Sequence, residues 1–172
     1  MFEEEPYDHL PPELLAERQS LIDEIFAAFD GISREGGVSW TEAQLLDNFA
    51  TPEECAAARV ADKETWQELL ADPHWRSDGF EWCFLDPNGL AYYLPAGIIR
   101  TVQTGWDLDV GFILSQPNKD TYHENRFEET IMAFSLRQAL AVKRFLIYMD
   151  AIDSDPRWCK ALENGWRGIS EK

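Results

Sequence analysis

Phe84-Leu85-Asp86-Pro87-Asn88-Gly89-Leu90-Ala91-Tyr92-Tyr93-Leu94-Pro95-Ala96-Gly97 is the stretch whose reading decides the fold, because strand, turn and helix-start signals follow one another in it without a gap. Asp86, Pro87, Asn88 and Gly89 fill positions i to i+3 of a type I turn, where proline presets φ and glycine accepts the left-handed exit. Aromatic and aliphatic residues flank the turn, so the pattern predicts a β-hairpin over about 81–94, with strands at 81–85 and 90–94. Trp82 and Phe84 share one face of the first strand, Glu81, Cys83 and Leu85 the other; neither face is wholly polar, which predicts cover on both sides. A two-stranded ribbon is marginal alone, so helices, or a further strand over Val110–Leu114, are needed to complete it. Pro95 reads as the first residue of a helix reaching about Thr104.

Outward from the hairpin the chain is helical. Glu13 to Asp30 is amphipathic, with Leu14, Leu15, Leu21, Ile22, Ile25, Phe26 and Phe29 on one stripe and Glu13, Glu17 and Glu24 opposite. Ser39 or Thr41 can cap a second helix through Phe49. Thr51-Pro52-Glu53-Glu54 has the form of a capping box opening a third, to about Ala61. A fourth runs from Lys63 to Ala71, and Asp72-Pro73-His74-Trp75 is either another helix start or a turn. Residues 105–125 are the least regular region, and within them 107–114 reads as either a strand or a short helix. Ser135-x-x-Gln138 is a second capping box; the helix after it, over about 136–151, is apolar around most of its circumference and is expected at the centre of the core. Asp155-Pro156 opens a last helix ending near Gly168. The expected fold is therefore a single α+β domain over 1–172, predominantly α, with six or seven helices packed around the hairpin and an acidic lead-in at 1–10.

Charge is unevenly spread. The net value is -17, and residues 1–81 carry 20 acidic and 5 basic side chains against 12 and 10 in residues 82–172. Such a field repels nucleic-acid phosphate and anionic lipid, and it speeds encounter with a basic partner at low salt. Cys55, Cys83 and Cys159 are odd in number and widely spaced, which argues against a disulfide framework and for reduced thiols. No apolar run reaches the roughly 18 residues that cross a bilayer, and the acidic start Met1-Phe2-Glu3-Glu4-Glu5 is unlike a signal peptide. A cytoplasmic protein is expected.

Catalytic and metal-binding patterns are weak. His9, His74 and His123 are isolated, and no Cys-x-x-Cys or His-Glu-x-x-His occurs. Asp150, Asp153 and Asp155 approach a calcium-loop rhythm but lack the glycine and the closing glutamate. No phosphate loop, nucleophile elbow or dinucleotide fingerprint is present, so no cofactor and no metal is implied. One pocket is conceivable beside the hairpin, lined by Tyr92, Tyr93 and Trp106, with Asp107 and Asp109 as its polar residues.

The motif Phe84-Leu85-Asp86-Pro87-x-Gly89-x-x-Tyr92-Tyr93-Leu94-Pro95-Ala96, followed by Phe134-Ser135-x-x-Gln138-x-x-Ala141-x-x-x-Phe145-Leu146, resembles a family of small uncharacterised bacterial proteins. The likeness covers about residues 60–150, and its motifs are structural. Tyr-Leu-Pro elements are also similar to those of bacterial toxin-immunity proteins of the SMI-one/Knr-four-like group. The resemblance supplies no catalytic residues.

These readings converge on a non-enzymatic acidic binding protein: an immunity or inhibitor protein that meets a basic toxin or nucleic-acid-binding protein through Glu13, Glu17, Glu24, Glu53, Glu64 and Glu68. The competing classes are a small-ligand binder or enzyme using the Tyr92–Asp109 pocket, and a structural adaptor.

Overall fold

Asp86 and Pro87 start a helix instead of closing a hairpin. In the computed structural model, which describes residues 7, 9–59, 65–76, 80–105, 109–115, 128 and 131–171, the Asp86 carboxylate accepts from the Gly89 N–H at 2.8 Å and Pro87 takes the first helical position. An Asp-Pro pair serves a type I turn and a helix N-terminus equally well, so the residues that follow decide between them. Here Leu90, Leu94, Ile98 and Val102 recur every four residues and face a common interior.

The elements are α1 (Pro12–Ala28), α2 (Trp40–Asp47), α3 (Pro52–Ala58), α4 (Gln67–Leu70), α5 (Glu81–Phe84), α6 (Pro87–Thr104), α7 (Val110–Leu114), α8 (Leu136–Ile152), α9 (Pro156–Glu163) and a short 3-10 turn (Trp166–Gly168). Among the described residues there is no strand, and the fold is all-helical rather than α+β. The expected hairpin over 81–94 is α5 joined to the first half of α6, and the alternative strand at Val110–Leu114 is α7.

Pro95 lies inside α6 instead of beginning a helix. It has no N–H to offer the Ala91 carbonyl, a defect costing about 3 kcal/mol in an exposed helix. Tertiary burial outweighs it: every residue from Gly89 to Ile99 is buried, and Tyr93, Leu94, Ala96, Ile98 and Ile99 are fully so. That same burial makes α6 more enclosed than the expected central helix at 136–151. The latter is α8, which packs beside α1 and α9; α1, α4 and α7 contact α6, while α2 joins α3 and α5.

The helix starts read from side-chain chemistry hold. Ser39 accepts from the Glu42 N–H at 3.0 Å to cap α2, and Thr51 with Glu54 and Ser135 with Gln138 form both capping boxes. Asp155 caps α9 by accepting from the Arg157 N–H at 2.9 Å. Asp72-Pro73-His74-Trp75 is a turn, with the Asp72 carboxylate accepting from the His74 N–H.

The aromatic content predicts an aromatic core, and the rings meet. Trp40 lies 5.2 Å from Trp75, 5.0 Å from Trp82 and 5.3 Å from Tyr93, centroid to centroid. Buried indole N–H groups need acceptors, and Trp66 donates to the Phe29 carbonyl, Trp166 to that of Leu114 and Trp158 to the Asp153 carboxylate.

Candidate functional site

Two regions compete as the functional site: the acidic surface of the N-terminal half and a cavity on the other side of the sequence, between α5, α7 and α9. The acidic side chains differ in what they already do. Glu13 and Glu17 are exposed on α1, and Glu53 is exposed in the first turn of α3, where a carboxylate favours the helix dipole. Glu24 is engaged inside the molecule, since Arg144 of α8 donates to it and to the Ser20 hydroxyl, clamping α1 to α8. Glu68 is exposed but accepts from the Thr65 N–H at 3.1 Å and from its hydroxyl at 3.0 Å. Glu64 lies outside the described residues.

Two basic side chains of the same half are engaged within the molecule, Arg59 while still half-exposed. Arg59 donates through Nε and Nη2 to both oxygens of Glu42, at 2.7 and 2.6 Å, and Glu42 is 3 % exposed. This pairing raises the Arg59 pKa, first through the hydrogen bond and then through the charge. Arg34 donates to the carbonyls of Gly37 and Arg59, tying the 33–38 loop to the end of α3. Glu81 is buried as well and receives a long hydrogen bond from Gln44. Nothing in the spacing of the acids marks Glu42 and Glu81 as internal.

The pocket expected from Tyr92, Tyr93, Trp106, Asp107 and Asp109 divides. Tyr92 and Tyr93 are 1 % and 0 % exposed, and the Tyr93 hydroxyl accepts from the Trp40 N–H at 2.9 Å at the head of α2. Trp106 and Asp107 lie outside the described residues. Asp109, held at φ 59, instead lines a half-open cavity of about 130 Å³ together with Phe80, Trp82, Cys83, Phe112 and Arg157. Neither tyrosine lines it.

Three of the cavity's residues, Phe80, Phe112 and Arg157, carry no motif that singles them out as site residues. Phe80 and Phe112 are 63 % and 38 % exposed, as Phe26, Phe49 and Phe84 also are in part, so exposure alone does not mark them and only the cavity between them does. Arg157 reaches back to its helix cap, donating to the Asp155 carboxylate at 2.9 and 2.5 Å, and this bond holds the Asp155 carboxyl below its usual range. Among the described residues no three His, Cys, Asp or Glu side chains are grouped to hold a metal ion, and no helix is long and apolar enough to cross a membrane.

Fold and surface together define, among the described residues, an all-helical domain with an aromatic interior, exposed acids in its N-terminal half and a ring-lined cavity. The chain belongs to the family of unknown function DUF6714, which matches residues 17–169. No curated protein and no solved structure matches it.

Proposed function

We propose that the protein is a non-enzymatic binding protein that receives a basic protein partner on its acidic N-terminal half. The observation that supports this reading most is the unequal use of charge there. Arg59 and Arg34 are committed to Glu42 and to backbone carbonyls, while Glu13, Glu17 and Glu53 stand in solvent. Carboxylates that outnumber basic side chains 20 to 5 in residues 1–81 set up a negative field, and such fields raise the encounter rate with a basic surface. A protein that binds nucleic acid carries a surface of that sign. If the partner is a toxin acting on nucleic acid, covering its phosphate-binding face inhibits it, which is the immunity or inhibitor function in its finer form.

Capture from the native cell with the immobilised protein tests the reading. A partner of high isoelectric point is expected at low salt and its release at about 0.5 M salt, where the screening length is only a few ångströms. The variant combining Glu13→Gln, Glu17→Gln and Glu53→Gln is expected to lose the partner; undiminished capture by it rules out this face.

A further inference from the structure

We propose that the cavity between α5, α7 and α9 is an anchor pocket for one aromatic side chain of the basic partner, an inference that rests on the basic-partner reading above. Size points to a single ring. The cavity measures about 130 Å³, and an apolar protein cavity of about 150 Å³ is known to take up benzene. Its lining points the same way: Phe80, Trp82 and Phe112 contribute aromatic carbon and Cys83 a half-buried thiol, surfaces that favour another ring in edge or offset contact.

The rim distinguishes a protein-borne ring from a free small molecule. Phe80 is 63 % and Phe112 38 % exposed, so apolar surface extends past the cavity mouth. A lone ring seated inside leaves that rim wet, whereas a polypeptide carrying the ring covers it, as the surround of an interface anchor does. Charge selects the flanking residues. The Arg157 guanidinium is bonded to Asp155 and Asp109 adds a carboxylate to the lining, so basic residues next to the ring are attracted and acidic ones repelled. The occupant is thus Phe, Tyr or Trp flanked by Lys or Arg.

Two synthetic peptides, Lys-Lys-Phe-Lys-Lys and Lys-Lys-Ala-Lys-Lys, test the pocket on the full-length protein. Affinity is measured by titration, and occupancy by the rate of alkylation at Cys83 and Cys159, located by peptide mass mapping. The Phe peptide is expected to bind about tenfold more tightly than the Ala peptide and to slow alkylation at Cys83 but not at Cys159. Phe112→Ser, its fold checked by circular dichroism, is expected to erase the difference and leave the Ala peptide's affinity unchanged; should that variant not fold, protection of Cys83 in the unaltered chain decides. Equal affinity of the two peptides overturns the anchor while leaving the basic-partner reading intact. Binding of neither overturns both. Protection of Cys83 by millimolar benzyl alcohol but not by the Phe peptide assigns the cavity to a free small ring and overturns the proposal.

Discussion

Phe49 stands 97 % exposed at the end of α2, with φ 58. Around it the Ala50 N–H donates to the Leu45 carbonyl and the Phe49 N–H to that of Leu46, the two bonds of a Schellman motif. The left-handed position of that motif normally belongs to glycine, as Gly105 shows at the end of α6 with φ 71. A bulky residue there is disfavoured by its own backbone, and its ring gains almost nothing from burial. Phe49→Gly is expected to raise the unfolding free energy by about 1 kcal/mol in a urea titration; a fall would show that the ring is held by contacts after all. Lack of a glycine is also why the sequence pattern carries α2 on through Phe49, two residues past its end at Asp47. Asp86 is the opposite case, a residue whose importance exceeds its local role. Its carboxylate caps α6 and also accepts from the Val38 N–H at 2.9 Å, so one side chain joins a helix start to a distant loop. Asp86→Ala is expected to cost about 2 kcal/mol by the same measurement, from the lost cap and the orphaned donor together.

At the scale of elements, α5 and α6 show what local chemistry leaves open. Asp86-Pro87-Asn88-Gly89 satisfies turn and helix-start rules alike, and the aromatic and aliphatic residues around it suit a strand as well as a buried helix. A helix enclosed on nearly every side has no polar face to reveal its period, and Pro95 points to a boundary that does not exist. By contrast α1, α3, α8 and α9 are legible because a cap residue and a proline, a capping box or a polar face marks them. Gly97 exposes the packing that makes α6 a helix. A Cβ placed there would lie 2.9 Å from Val110 and 3.0 Å from the ring of fully buried Trp82. Helix propensity alone would make Gly97→Ala favourable by about 1 kcal/mol; overpacking is expected to reverse the sign and destabilise by about 1–3 kcal/mol, read from the thermal midpoint. For α9, the Asp155 carboxyl is held below its ordinary value of 3.8 by the Arg157 side-chain bond above all. A lowered folded-state pKa means that this stabilisation is complete above 3.8 and disappears as pH falls through the lower folded value. Asp155→Asn is therefore expected to narrow its stability deficit against the unaltered chain as acid is added, measured by urea unfolding from pH 6 downward.

For the whole molecule, charge is the property most fully legible in the sequence, because acids can be counted by position along the chain. Which acids remain outside is not legible there: Glu42 and Glu81 are buried and Glu24 is tied to Arg144. The cavity is hidden for a related reason, since residues 80–83, 109–112 and 157 come together only through the packing of three helices. A net charge of -17 within one folded chain also repels itself. Raising salt to about 0.5 M, which shortens screening to a few ångströms, is expected to raise the melting midpoint while weakening partner capture. A melting point that falls with salt would mean that favourable ion pairs dominate the surface.

Arg100 gives the assembly one more consequence. Its guanidinium donates to the carbonyls of Leu69, Asp72 and Trp75 and lies over the Trp75 ring, 5.2 Å from the centroid, so the segment following α4 is wound about a single side chain projecting from α6. The Leu69 and Asp72 carbonyls also accept turn bonds from the Asp72 and Trp75 N–H groups, and residues 66–75 are expected to open as one piece when the Arg100 latch is removed. In amide hydrogen exchange, Arg100→Met should let this unit open ahead of the rest, trading its protons early while α6 and α8 keep theirs to the end.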